Sequence, residues 1–362
     1  MKILYVITGL GVGGAEKVVT TMADKMISYG HSVKIVYLTG SAEIIPNSQE
    51  VEIIKLNLTS VFRLFLCVNS LKSIINEYNP DIVHSHMFHS NILCRLTRYI
   101  TPINKLICTV HNSNEGGKIR MLAYKLTNSK SDINTNVSHE ATASLIKKGA
   151  FKASEIQTIY NGIDVEYFKF NKVDRKILRN SFGLKENTKV LIAVGSLSTQ
   201  KDYPNLFNAL NKLGSEIDYK VFIVGDGPLR SQLESIVSEK RLQKNIIFLG
   251  IRKDIPALLS MSDIFVLSSA WEGFGLVVAE AMACERIVVA TDCGGVSEVL
   301  GDTGILVSNK NSIELAEGLK KALTLNDNMR MSIGTRARKR ILNYYSLRIS
   351  SSTWLDLYKS LI

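Results

Sequence analysis

Short apolar runs that stop at a glycine, a histidine or a hydroxyl residue, each followed by a stretch of helical period, recur from residue 2 to residue 291. Near-continuous apolar runs are what strands buried on both faces look like, and strands alternating with helices build parallel sheets, because a parallel connection needs a crossover. One series lies at 2–9, 31–39, 51–58, 81–86, 105–111, 132–138 and 157–160. A second lies at 189–195, 219–225, 245–250, 263–269 and 286–291. Between them Asn161-Gly162 makes a turn, and a polar, basic stretch runs on to Lys176. The pattern predicts an α/β chain of two Rossmann-like, doubly wound domains joined at that hinge. Ligands of such sheets collect at the carboxyl ends of the strands, so those ends are where chemistry is sought.

In the first half, Gly9-Leu-Gly11-Val-Gly13-Gly14 leads from a strand into a helix expected near Ala15. The glycines match a dinucleotide fingerprint, but the second strand ends in Tyr-Leu-Thr-Gly and offers no carboxylate to a ribose diol. A turn that lets backbone approach a phosphate or sugar closely fits better, with Gly13 and Gly14 in that place. His84 and His86 close one strand, with His89 just beyond, and His111 closes another in Thr-Val-His-Asn. Three histidines this close raise a zinc site, yet no acid or thiolate stands beside them, and no metal is expected. His31 and His139 look incidental.

The second half holds the most informative stretch. An apolar run at 263–269 meets a glycine-containing turn, Glu272-Gly-Phe-Gly-Leu-Val-Val-Ala-Glu280, and a helix is expected to open at about Gly275. Backbone N–H groups at such a helix start form an anion site. The two carboxylates stand eight residues apart and therefore at different depths, too far for an acid pair. With phosphates held between them, their natural ligands are hydroxyls on either side of a diphosphate, which describes a nucleotide sugar. Lys201, just past the strand at 189–195, is placed to meet phosphate charge as a leaving group departs.

The E-x7-E element with Glu-Gly-Phe-Gly inside it, followed by Asp292-Cys-Gly-Gly, resembles the signature of the family-4 retaining glycosyltransferases, and the resemblance runs over nearly the whole chain. It implies the GT-B architecture, two Rossmann-like domains facing across a cleft: residues 1–168 on the acceptor side, 169–345 binding the nucleotide sugar, and 346–362 returning to the first domain. It implies that Gly13 and Gly14 approach the donor diphosphate and that His111 touches the donor sugar near the reacting carbon. Glu272 would hold the sugar and Glu280 the ribose, while Lys201 and the N–H groups of Gly273, Phe274, Gly275, Leu276 and Val277 would stabilise the departing diphosphate. Gly227 would line the nucleotide pocket and Ile251 would present backbone to the base. Many family members carry Arg where Ser196 stands, which leaves Lys201 as the main cation. Same-face attack, with the leaving phosphate oxygen taking the acceptor proton, would give retention without a side-chain base. No cofactor and no metal requirement is expected, and a UDP-sugar is the favoured donor.

Two other classes share parts of this pattern. A glycan phosphorylase-like enzyme would need a lysine-bound pyridoxal group, and a catalytically inactive sugar-nucleotide-binding protein would have little reason to keep Glu272, Lys201 and His111 together.

The net charge of +11, from 44 basic against 33 acidic residues, points to an anionic partner. Between residues 91 and 130 seven basic side chains (Arg95, Arg98, Lys105, Lys118, Arg120, Lys125, Lys130) face one acid, Glu115. Tyr99 and Tyr124 are the only aromatics there, too few for nucleic-acid binding. Ile92, Leu93, Leu96, Ile119, Met121, Leu122 and Leu126 are interleaved with those charges, and 61–68 adds more apolar surface, the pattern of a protein that sits on an anionic membrane. The resemblance implies a glycan or lipid-linked acceptor, as in polysaccharide, lipopolysaccharide or capsule assembly. Five scattered cysteines without C-x-x-C fit a reducing cytoplasm, no run reaches the ~18 apolar residues of a membrane span, and the N-terminal run reads as a strand rather than a signal peptide. The expected place is the cytoplasm, peripherally at the inner face of its membrane.

Overall fold

The computed structural model describes residues 1–213 and 217–362. They form two compact units, Met1–Gly162 with Arg348–Ile362, and Ile163–Leu347.

The first unit contains β1 (Lys2–Ile7), α1 (Gly14–Ser28), β2 (Ser32–Tyr37), β3 (Glu52–Lys55), α2 (Leu64–Tyr78), β4 (Ile82–His86), α3 (Phe88–Thr97), β5 (Leu106–Val110), α4 (Lys118–Thr127), β6 (Ile133–Asn136), α5 (His139–Lys147) and β7 (Gln157–Thr158). All of its strands pair in parallel, in the order β3-β2-β1-β4-β5-β6-β7. Central strands are buried along almost their whole length, β4 and β5 at every residue, as their apolar runs require. The strand expected over 51–58 shrinks to four residues, because β3 lies at the sheet edge with one neighbour and its burial is only partial. The order reverses between β1 and β4, so the chain segments leaving these strands diverge and open a crevice at the carboxyl edge.

The second unit repeats the plan with α6 (Lys172–Ser181), β8 (Lys189–Val194), α7 (Tyr203–Leu210), β9 (Tyr219–Val224), α8 (Arg230–Glu239), β10 (Ile246–Gly250), α9 (Ile255–Met261), β11 (Ile264–Leu267), α10 (Leu276–Ala283), β12 (Ile287–Asp292), α11 (Val296–Leu300), β13 (Ile305–Ser308), α12 (Ser312–Leu323) and α13 (Asp327–Tyr344). Its parallel order is β10-β9-β8-β11-β12-β13, with the reversal between β8 and β11. β13 is a strand the sequence pattern did not predict. It is a short edge strand exposed at Leu306 and Ser308, so it lacks the continuous apolar signal of its neighbours.

The helical stretch that ends the chain is broken between Tyr344 and Leu347. Ile163 donates its N–H to the Tyr345 carbonyl (2.8 Å) and accepts from the Leu347 N–H (2.7 Å), and these bonds interrupt the helical ladder between α13 and α14 (Leu347–Leu361). Phe168, 1% exposed, goes with the second unit, as does the strip 163–168 that precedes the expected boundary. α14 belongs to the first unit: Trp354 packs on His84 (ring centroids 4.6 Å), and the Tyr358 hydroxyl lies 2.6 Å from His84 Nδ1 and 3.3 Å from the Tyr5 hydroxyl.

Candidate active site

In the second unit, Lys201 and Glu272 come from the segments that leave β8 and β11, the two strands flanking the switch point. Glu272 is 7% exposed and Glu280 6%, so neither is the solvated glutamate that most Glu residues are. Lys201 Nζ lies 2.5 Å from Glu272 Oε1, which also accepts from Ser269 Oγ at 2.7 Å, while Gln200 Nε2 reaches Oε2 at 3.4 Å. Lys201 is thus an ion-pair partner rather than a solitary cation. Ser269 and Gln200, which sequence reasoning passed over, fix the carboxylate; nothing in their identity or spacing marks them.

Glycines make this packing possible. A Cβ on Gly195 would stand 2.7 Å from Lys201 Cε, so the glycine leaves room for the lysine stem. Gly225 and Gly227 let the β9 turn lie against the β8 turn, since a Cβ would meet the Gly195 carbonyl oxygen at 2.1 Å and that of Leu197 at 2.6 Å. The Asp292-Cys-Gly-Gly motif buttresses the Glu272 loop. Gly294, at φ +57°, has its would-be Cβ 2.1 Å from the Glu272 carbonyl oxygen, and the Gly295 N–H donates to the Gly273 carbonyl at 2.9 Å.

α10 begins at Leu276 behind Gly275, whose φ of 84° is left-handed and suits glycine. Only the Glu280 end of the Glu272-to-Glu280 interval is therefore helical. Gly275 has no side chain with which to cap the helix, as is also true of Gly13 before α1 and Gly117 before α4. Ser196, in place of the family's arginine, places its hydroxyl 3.0 Å from that of Ser198, and Ile251, directly after β10, is exposed.

In the first unit, Gly13 caps α1 and Gly14 opens it. Over Gly13 lies the Glu16 carboxylate, its Oε2 2.3 Å from where a Cβ would be. Burial raises the Glu16 pKa above the ordinary value. His86, at the end of β4, brings Nδ1 to 3.0 Å from His111 Nε2. His84 is held by Tyr358 and by the Thr109 hydroxyl, 2.7 Å from its Nε2. Burial lowers the pKa of His111 to about 4 and those of His84 and His86 well below the usual histidine range, so all three rings are neutral near pH 7.

The basic stretch is sorted by the fold. Arg95 is fully buried, donating to Asn128, Asn134, Thr127 and the Tyr124 carbonyl; Arg98 pairs with Asp132; Arg120 donates to the Glu115 carbonyl and stacks over Phe88. Lys118 and Lys125 remain exposed. Leu93 and Met121 are core, and Ile92 and Leu96 pack partly against it, whereas Ile119, Leu122 and Leu126 are exposed.

Two doubly wound parallel sheets, the second with its acid–base pair at the switch point, define a GT-B glycosyltransferase fold. Residues 12–167 match the family described as Glycosyltransferase Family 4, and residues 174–340 the one described as Glycosyl transferases group 1. The chain is 28% identical over 370 residues to N-acetyl-alpha-D-glucosaminyl L-malate synthase of Bacillus anthracis, covering 96% of this chain and 94% of the relative. It is 25% identical over 367 residues to N-acetylgalactosamine-N,N'-diacetylbacillosaminyl-diphospho-undecaprenol 4-alpha-N-acetylgalactosaminyltransferase of Campylobacter jejuni, covering 96% and 97%. Among solved structures it resembles Anabaena HepE in complex with UDP and glucose, with a TM-score of 0.85 at 22% identity over 99% of this chain and 100% of that one. The chain belongs to the family-4 glycosyltransferases, enzymes of glycan assembly.

Proposed function

We propose that this glycosyltransferase moves a sugar from a nucleoside diphosphate donor, UDP-linked, to an acceptor hydroxyl on a lipid-linked glycan, with retention at the anomeric carbon. The observation that carries the donor reading is the buried Lys201–Glu272 pair, beside the uncapped start of α10 and one helical stretch from the buried Glu280. The N–H groups at the helix start meet the diphosphate, Glu280 takes the ribose hydroxyls and Glu272 those of the sugar. As the bond to the leaving oxygen lengthens, negative charge grows on the diphosphate, and Lys201 answers it without a metal ion. HepE, crystallised with UDP and glucose, supports the nucleotide, and the relative named for a diphospho-undecaprenol substrate supports the acceptor.

Retention follows if the acceptor enters on the leaving-group face and the phosphate oxygen accepts its proton. His111 serves as a contact to the donor sugar, the role that the resemblance implies. A panel of nucleotide sugars, assayed for nucleotide release with and without chelator and with the product's anomeric configuration read by NMR, tests this reading. UDP release, an axial-to-axial product and indifference to chelator are expected; inversion or a strict divalent requirement would overturn the mechanism.

A membrane-facing acceptor also fits the surface of the first unit. On α4, Lys118, Ile119, Leu122, Lys125 and Leu126 fall within about a third of the helix circumference, and Ile119 is 85% exposed. At the start of α2, Phe62 is 95% exposed, with Phe65 and Leu66 exposed beside it and Arg63 between. Exposed apolar side chains edged by lysine and arginine suit the interface of an anionic bilayer.

A further inference from the structure

We propose that His86 is a positioning residue that fixes His111 as its Nδ1–H tautomer, so that His111 offers its ligand a hydrogen-bond donor at Nδ1. The argument starts from the 3.0 Å contact between His86 Nδ1 and His111 Nε2. Each ring is neutral and carries one proton, so one nitrogen of the contact donates and the other accepts. Which way round is decided at the far side of His86.

His86 is 3% exposed, and its Nε2 is buried with no hydrogen-bond partner among the described residues. The nearest ring, that of His84 at a centroid separation of 4.0 Å, has both nitrogens committed to the hydroxyls of Tyr358 and Thr109. Were His111 the donor, His86 would have to carry its own proton on Nε2, an N–H buried against nothing that accepts it. Nε2 is unpaired either way, as an orphaned donor in that case and as an unused acceptor in the other, and of the two the orphaned buried N–H is the rarer in folded proteins. The arrangement that avoids the orphaned donor puts the proton of His86 on Nδ1, where it donates to His111 Nε2. His111 must then hold its own proton on Nδ1.

A neutral Nδ1–H donates and cannot act as a base. That agrees with a reaction in which the acceptor proton goes to the leaving phosphate oxygen, and it makes His111 a donor toward a sugar oxygen. The functional half of the proposal rests on the reading of His111 as a donor-sugar contact, and the experiment separates the two.

The full-length protein, labelled with nitrogen-15 in its six histidines, would be examined by imidazole nitrogen NMR, with the His111 ring assigned by its loss in His111→Gln. The wild type should show His111 protonated at Nδ1. His86→Asn places an amide N–H near the former Nδ1 and should keep that tautomer, whereas His86→Asp, whose carboxylate only accepts, should draw the proton to Nε2. With UDP-sugar turnover measured on the same samples, kcat should fall roughly tenfold in His86→Asp, with little change in donor KM, and recover in His86→Asn. A wild-type His111 protonated at Nε2, or a tautomer indifferent to His86→Asp, overturns the proposal. If the aspartate variant does not fold, the wild-type and asparagine spectra still decide it. If the tautomer follows His86 while kcat ignores it, the hold of His86 stands and the placement of His111 at the donor sugar fails.

Discussion

Lys201 and Glu272 have side chains only 14% and 9% exposed, so removing either strands the other's charge where water scarcely reaches. Breaking a buried pair in this way costs about 3–5 kcal/mol. Lys201→Ala is therefore expected to lower the melting temperature as well as kcat, while Lys201→Met combined with Glu272→Gln recovers most of the stability and none of the turnover. Calorimetry and donor turnover on the same preparations check this; an unchanged melting temperature in Lys201→Ala would show that the pair contributes nothing to the fold. Both residues were singled out in the sequence, because a lysine past one strand can meet phosphate charge and a glutamate past another can hold hydroxyls. That they meet each other was not, since Gly195 leaves room for the lysine stem while Gly225 and Gly294 lie against backbone distant in the chain. Glu16 escaped because nothing in the spacing after the glycines shows that its carboxylate folds back beside Gly13.

The stretch from β5 to α4 carries a carboxylate whose charge the fold opposes. Burial raises the Glu115 pKa to about 7, against the lowering effect of the Tyr124 hydroxyl, Arg120 and the Phe88 N–H. Between the ordinary glutamate range and about pH 7 the folded chain holds a proton that the unfolded chain has lost, so this group's contribution to stability falls as pH rises through that window. Hydrogen exchange in residues 112–118 should quicken between about pH 5 and 7 beyond the intrinsic rate, and Glu115→Gln should abolish the excess. The excess persisting in the variant would acquit Glu115. On α4 itself, Lys118→Ala with Lys125→Ala should weaken binding to anionic vesicles by about 2 kcal/mol, roughly thirtyfold, at about 1 kcal/mol per basic residue. Equal sedimentation of variant and wild type with such vesicles would sink the membrane reading. Buried strands announced themselves through continuous apolar runs, whereas the edge strands β3 and β13 did so poorly, since half-exposed edges tolerate Glu, Lys and Ser. Helical period could not divide α13 from α14, because the bonds that separate them come from Ile163.

At the scale of the whole chain, each unit has its own parallel sheet, yet the first is assembled from two pieces of sequence, 1–162 and 348–362. Trp354→Ala removes a ring packed on His84 and should cost the first unit about 3–5 kcal/mol. In stepwise denaturation the transition of that unit should move while the transition of 163–347 stays, as read by separate fluorescence or exchange probes; a common shift of both would mean that the two melt as one. The same helix also orders events during synthesis. Tyr358, fully buried against Tyr5 and His84, leaves the ribosome after everything in the second unit. At about 5–20 residues per second, the stretch from 163 to 362 takes roughly 10–40 s to make. Throughout that interval the first sheet waits with one flank of β1 and β4 unclad, and the unit translated second is the first that can finish folding.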